Sequence, residues 1–288
     1  MSRPRLPPAP PILLVVTAIV SVQIGAAVAR STFDRAGPAA MVLLRLVFGS
    51  VALSVFGRAR LAGRTRRELA LVAAFAATFA CMNLSFYSAI DRLPLGIAVT
   101  LEFVGPLAVA VAGSRRPLDL AWVVLAGAGV ALLASGGAGH VRPLGVALAL
   151  VAGGFWAVYI LLSARVGRVY EGASGLALAM ALAAVLVAPG GIAAGRSALY
   201  QPHVLAVGAA IGVLSSAVPW TLELEALRRM PTHVFGVLMS LEPALAALAG
   251  LALLGQHLRA AAVAAIVLVI VASAGASATS RGPAPHEP

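Results

Sequence analysis

Glu102 and Glu242 stand where carboxylates are expensive. The first lies in the run LPLGIAVTLEFVGPLAVAVAG (93–113), the second in MPTHVFGVLMSLEPALAALAG (230–250), and both runs are otherwise almost wholly apolar. Arg45 and Glu223 sit in comparable surroundings. An ionised group at the centre of a helix in lipid costs about 2.5–3.5 kcal/mol on insertion scales, so it usually faces a cavity or a partner. A carboxyl in a poorly solvated cavity is a candidate proton carrier. A guanidinium there offers a planar fork that matches a carboxylate. The plainer alternative is a buried salt bridge in which Arg45 pairs with Glu102 or Glu242 and only holds the helices together. Both readings stay open at the level of the residues.

The two runs are copies of each other. With Pro94 placed on Pro231, Leu101 meets Leu238, Pro106 meets Pro243, and near the ends Ala110, Ala112 and Gly113 meet Ala247, Ala249 and Gly250. Upstream, Ala89 and Arg92 fall on Ala226 and Arg229. The glutamates themselves are offset by three positions, Glu102 opposite Met239 and Glu242 opposite Gly105. Three residues is nearly one helical turn along the same face, so both can line one cavity at different depths. Pro106 and Pro243 remove a backbone donor and free a carbonyl one turn back, that of Glu102 or of Met239. A kink at either is a candidate gate or a fixed bend. Further polar and aromatic groups recur at similar depth: Ser21 and Gln23, Asn83 and Tyr87, Trp156 and Tyr159, Ser215 with Ser216 and Trp220. As a set they suit an amphipathic, zwitterionic solute, although interhelical bonding explains any one of them. Gly208 and Gly212, in GAAIG, read as helix packing.

The elements that must hold these residues follow from composition. Hydrophobic residues make up 61% of the 288, charged residues 11%, and the mean hydropathy is +0.99. Ordinary soluble domains carry about 25% charged residues. Apolar blocks recur along the chain, near the roughly 17–25 residues needed to cross about 30 Å of hydrocarbon. Ten candidate spans run 12–29, 39–56, 69–90, 95–113, 119–135, 144–163, 175–193, 204–222, 232–254 and 259–278. Breaker signals separate them, among them Gly37-Pro38, Pro94, Gly136-Gly137, Pro143, Pro189-Gly190 and Pro231. The expectation is an all-α polytopic membrane protein. Residues 1–11 form a proline-rich head and 279–288 a similar tail, both expected to be disordered. The 12–29 block, with Arg3 and Arg5 before it, resembles a signal peptide, but its length exceeds the roughly 7–15 residues of such an apolar core. It is read as a retained span.

The copies fall in the fourth and ninth blocks, so the repeat unit is five helices, 12–137 and 138–278. An odd number per unit makes the second copy enter from the opposite side. That inverted arrangement is one in which secondary transporters place a midplane site between two halves. Loop arginines are lopsided: fourteen on the side of the N-terminus, six on the other, and Arg45 within a span. The excess places both termini in the cytoplasm. The net charge of +11 is therefore read as topological rather than as a nucleic-acid footprint.

Every basic residue counted with lysine is an arginine, so neither a Walker lysine nor a Schiff-base amine exists. Neither His-Glu-x-x-His nor Gly-x-Ser-x-Gly occurs, which argues against an intramembrane enzyme. One cysteine, Cys81, and five scattered histidines (His140, His203, His233, His257, His286) offer no disulfide, metal set or cofactor attachment. A non-transporting sensor or assembly subunit is the remaining alternative from another class. The expected partners are a small-molecule solute (an amino acid or metabolite), protons and the bilayer, with a homodimer left open and no nucleic acid.

The lone Arg45 and the stretch SLEPALAALAG resemble the EamA-type branch of the drug/metabolite transporter superfamily. The stretches SVQIG (21–25), PLGIAVTLEFVGPLAVAVAGSRRPLD (94–119), FWAVYIL (155–161) and PTHVFGVLMSLEPALAAL (231–248) are similar in particular to bacterial threonine and homoserine exporters. The likeness covers nearly the whole chain and departs at the loops and tail. It implies ten helices in an inverted five-plus-five repeat, an inner-membrane location, and efflux of small amino acids or related metabolites in exchange for protons.

Overall fold

The computed structural model describes residues 10–56, 64–112, 117–134 and 142–279. Arg3, Arg5, Arg58, Arg60, Arg115, Arg116, Arg281, His140, His286, Gly136-Gly137 and nearly all of both proline-rich ends lie outside them. Among the described residues every regular element is helical: α1 (Pro11–Arg30), α2 (Phe33–Ala36), α3 (Pro38–Ser54), α4 (Arg66–Ile90), α5 (Leu95–Glu102), α6 (Val104–Ala112), α7 (Pro117–Ala134), α8 (Pro143–Val169), α9 (Ser174–Gly195), α10 (Pro202–Gly212), α11 (Val218–Leu227), α12 (Thr232–Met239), α13 (Glu242–Leu254) and α14 (Ala260–Thr279). A 3-10 turn (Arg196–Tyr200) follows α9, and a π-helical turn (Val213–Ala217) joins α10 to α11.

Eight helical segments are long and apolar enough to cross a membrane, counting α5–α6, α10–α11 and α12–α13 each as one. Two shorter apolar helices, Pro38–Ser54 and Leu120–Leu133, fill the second and fifth expected positions. The chain is a polytopic membrane protein.

Local sequence explains where the helices start and stop. Prolines at the first turns of α1, α3, α8 and α10 lose nothing, because that N–H has no helical partner. α4 begins at Arg66, before the apolar block, because Thr65 and Glu68 form a reciprocal capping box. α8 runs on to Val169, six residues beyond the apolar block, through Arg165 and Arg168. Pro189-Gly190 does not end a helix as expected; α9 continues through it to Gly195, and the chain turns at Arg196, with φ of 44°.

The pattern of breaks is informative. The fourth span is interrupted at Phe103, and the ninth at Ser240 and Leu241. Both interruptions lie on the N-terminal side of Pro106 and Pro243, where a proline frees the carbonyl four residues back.

The helices pack as α4 on α8 and α9, α3 on α9 and α10, α1 on α11 and α13, α5 on α8 and α13, and α7 on α14. Small residues allow the closest approaches: a Cβ on Gly105 would stand 1.9 Å from the Gly153 carbonyl oxygen, and one on Gly153 2.6 Å from that of Glu102. Gly208 and Gly212 lie against Leu44 and Phe48 of α3 in the same manner.

Alternate connections gather at opposite ends. Arg30 pairs with Asp91 at 3.8 Å, Leu93 lies against Gly145, and the Leu95 N–H donates to Gln256 Oε1 at 2.9 Å. At the other end Arg64 Nη1 donates to the Val169 carbonyl at 3.1 Å.

Candidate functional site

A cavity of about 200 Å³ lies among α1, α3, α4, α5, α8, α9, the π turn, α11, α12 and α13. It falls below the roughly 300–1,000 Å³ of pockets for drug-sized ligands, which restricts it to small solutes. Eight of the nine residues singled out for binding or proton coupling line it: Gln23, Arg45, Asn83, Glu102, Trp156, Tyr159, Glu223 and Glu242. Tyr87 does not. It is fully buried behind Arg45, packed on Phe33 and Phe86, with the Arg45 guanidinium 5.7 Å from its ring centroid. A helix apolar on most faces leaves the direction of a given side chain to packing, and Tyr87 is turned from the cavity into the aromatic cluster.

Glu102 and Glu242 reach the cavity at the two interruptions. Glu102 is the last residue of α5 and Glu242 the first of α13, and both are buried at 8% exposure. Gln23 Nε2 donates to Glu242 Oε1 at 3.1 Å, tying α1 to α13. The alignment partner of Glu102, Met239, also lines the cavity. The alignment partner of Glu242 is Gly105, whose close contact with Gly153 leaves no room for any side chain. That contact accounts for the three-residue offset between the glutamates: the ninth span has space where the fourth is pressed onto α8.

Arg45 does not form the salt bridge that was the structural alternative. Among the described residues it takes part in no ion pair within 4.0 Å; the pairs formed are Arg30 and Arg92 with Asp91, Arg64 with Glu68, and Arg228 and Arg229 with Glu225. Instead Arg45 Nη2 donates to the Ser215 carbonyl at 3.0 Å. This acceptor exists because of the π turn and of Pro219, which has no N–H to offer one turn back. The neighbouring carbonyl of Leu214 is satisfied by Ser21 Oγ at 2.7 Å. So Ser21 supports the π turn rather than lining the cavity. Such turns are frequent at functional sites.

The aromatic residues fix the walls. Trp156 meets Phe103 edge to face at 5.5 Å, directly at the break of the fourth span. Tyr159 stacks on Phe75 at 5.0 Å and leans on Phe79 at 5.6 Å, joining α8 to α4. Asn83 Nδ2 is held by the Phe79 carbonyl at 2.8 Å.

Several lining residues escaped sequence reasoning: Met82, Met180, Met239 and Pro219, beside apolar wall residues such as Val22 and Val99. Pro219 carried a legible signal. Glu102, Ser215 and Met239 all line the cavity, and each stands four residues before a proline.

Gln23 Oε1, Arg45 Nε, Ser215 Oγ, Ser216 Oγ and Glu242 Oε2 are buried without hydrogen-bond partners among the described residues. Leaving such a group unmatched costs about 1–3 kcal/mol. Five of them fall on the lining residues of one small cavity, beside one guanidinium and three carboxyl side chains, so polar and charged groups are concentrated there.

The model of the EamA-like transporter family matches residues 143–278. The threonine/homoserine exporter RhtA of Salmonella typhimurium (strain LT2) is 43% identical over 282 residues, 96% of this chain and 94% of the relative. RhtA of Escherichia coli (strain K12) is 42% identical over 276 residues, covering 94% and 92%. A protein crystal structure superposes with a TM-score of 0.62 over 93% of this chain and 96% of its own, at 22% identity, a likeness of fold alone.

Proposed function

Since this chain belongs to the EamA-like transporter family, we propose that it exports threonine, homoserine or a closely related small amino acid in exchange for protons. It is a transporter and not an enzyme. The observation that carries the substrate class is Arg45, a guanidinium in the cavity that makes no ion pair within 4.0 Å among the described residues. It holds the solute's carboxylate through its free N–H groups. Glu242, oriented by Gln23, and Glu223 receive the ammonium. The small volume suits a short side chain. Glu102, on the opposing half-helix, exchanges the proton that returns the carrier.

An inverted five-plus-five repeat, with halves 12–137 and 138–278, supports alternating access. Exchanging each helix with the one five spans on maps α4 on α8 onto α11 on α1, and α4 on α9 onto α10 on α3. The contacts of α3 with α9 and α7 with α14 map onto themselves. Both interrupted helices sit at matching places in this scheme, with Pro106 and Pro243 as the bends about which the half-helices tilt. The arginine imbalance of fourteen to six supports cytoplasmic termini in a bacterial inner membrane.

Everted membrane vesicles carrying the protein test this reading with radiolabelled threonine. Uptake above vesicles without the protein, raised when the lumen is acidified, is the expected result. No uptake of threonine or homoserine under either condition overturns it.

A further inference from the structure

A second and larger cavity lies away from the solute site. It measures about 410 Å³ and opens between α13 and α14. Ala244, Leu248 and Leu251 form one wall, and Val263, Val267 and Ile270 the other. Each set extends over eight residues, seven steps or roughly 10 Å of helix at about 1.5 Å per residue. Leu248, Leu251, Val263 and Val267 are between 44% and 58% exposed, so this groove faces the hydrocarbon and not the protein interior.

The groove is built into the fold at its mouth. Gly255 turns the chain at φ of 63°, its neighbour's N–H returns to the Gly250 carbonyl at 3.0 Å, and Gln256 Oε1 accepts from the Leu95 N–H at 2.9 Å. The connection from 255 to 259 is thereby tied to the start of α5 rather than drawn between the helices. His257 lines the mouth and Arg259 follows it, both exposed. From 243 to 279 the sequence holds no aspartate or glutamate, and Arg259 enters no ion pair among the described residues. A long apolar slot ending at the membrane surface beside an uncompensated cation complements one kind of molecule found in a bilayer.

We propose that the groove between α13 and α14 binds an anionic phospholipid, one acyl chain lying between the helices and the phosphate of its headgroup held at Arg259. The chain fills a slot that ordinary helix packing leaves open, and the headgroup supplies the missing negative charge. The site backs onto the half-helix that begins at Glu242, so the lipid braces that half-helix from behind while its first residue, Glu242, lines the solute cavity. This assignment is independent of which solute is carried.

Native mass spectrometry of the purified full-length protein, titrated with phosphatidylglycerol or phosphatidylcholine of matched chains, tests it. The wild type retains one phosphatidylglycerol about five-fold more tightly than phosphatidylcholine, the difference expected for one arginine near an anionic headgroup. Arg259→Gln equalises the two lipids without losing the chain site. Val267→Trp fills the slot and removes the first-bound lipid of either kind. Leu251→Phe, at the other wall, does the same and serves if the tryptophan variant fails to fold. Unchanged lipid retention in a folded slot-filling variant overturns the proposal, as does a lipid-free dimer whose association the same substitutions abolish. Equal retention of both lipids by the wild type overturns the anionic assignment.

Discussion

Replacing Arg45 by glutamine separates a substrate-holding guanidinium from a merely structural one. In the wild type one terminal nitrogen is engaged by the Ser215 carbonyl at 3.0 Å, and the ring of Tyr87 lies 5.7 Å away. The rest of the fork has no carboxylate within 4.0 Å among the described residues, so it is available to the solute. A hydrogen bond to a charged group contributes about 1.5–3 kcal/mol, which at ~1.4 kcal/mol per decade predicts a roughly 12- to 140-fold weaker Kd for threonine. The structural share is smaller: losing the donor to Ser215 costs about 0.5–1.5 kcal/mol of stability, visible as a lower Tm in detergent. Equilibrium binding of radiolabelled threonine to purified protein gives the first quantity, and competition by threoninol, which lacks the carboxylate, gives the control. Arg45→Gln is expected to weaken threonine by that factor and leave threoninol nearly unchanged. Arg45→Lys keeps the charge but not the planar fork, and falls between. A folded Arg45→Gln protein that binds threonine as the wild type does, or that loses both ligands equally, refutes the assignment of Arg45 to the carboxylate.

Glu102→Gln is expected to insert normally and to sustain threonine-for-threonine exchange in proteoliposomes while losing accumulation driven by a pH gradient; retained pH-driven transport removes Glu102 from the coupling. Glu242→Ala deletes the acceptor of Gln23 Nε2, so threonine affinity falls at least ten-fold as both the charge and the orientation of Gln23 are lost, and unchanged affinity contradicts its contact with the ammonium. Gly105→Ala places a Cβ within 1.9 Å of the Gly153 carbonyl oxygen and forces α6 from α8, lowering stability by about 1–3 kcal/mol in thermal unfolding; an unaltered Tm shows that the contact is not tight. Pro219→Ala restores an N–H opposite the Ser215 carbonyl, which competes with Arg45 and weakens threonine binding several-fold, whereas an unaffected Kd means the π turn does not depend on the proline.

Sequence alone determined the solvent and the chemistry. Apolar blocks separated by arginine-bearing connections permit a membrane protein and little else, and the missing lysines rule out a Walker site whatever the fold. The duplicated runs at 93–113 and 230–250 located the two carboxylates and the prolines beside which the helices break. Boundaries moved where helices outran their apolar blocks, at Thr65 with its capping box and along Arg165 and Arg168, because capping and helix propensity act outside hydrocarbon as well.

Tertiary structure decided which side chains meet. A soluble helix announces its inward face by a stripe of apolar residues, but a helix surrounded by lipid and protein is apolar nearly all round and gives no such stripe. That is why Tyr87, in the same helix as Asn83, could be placed at the right depth and still on the wrong side. It is also why the pairing of Arg45 could not be settled from its span. Its hydrogen-bond partner is a backbone carbonyl freed 170 positions away by a π turn and a proline, and a carbonyl leaves no mark of its own in a sequence.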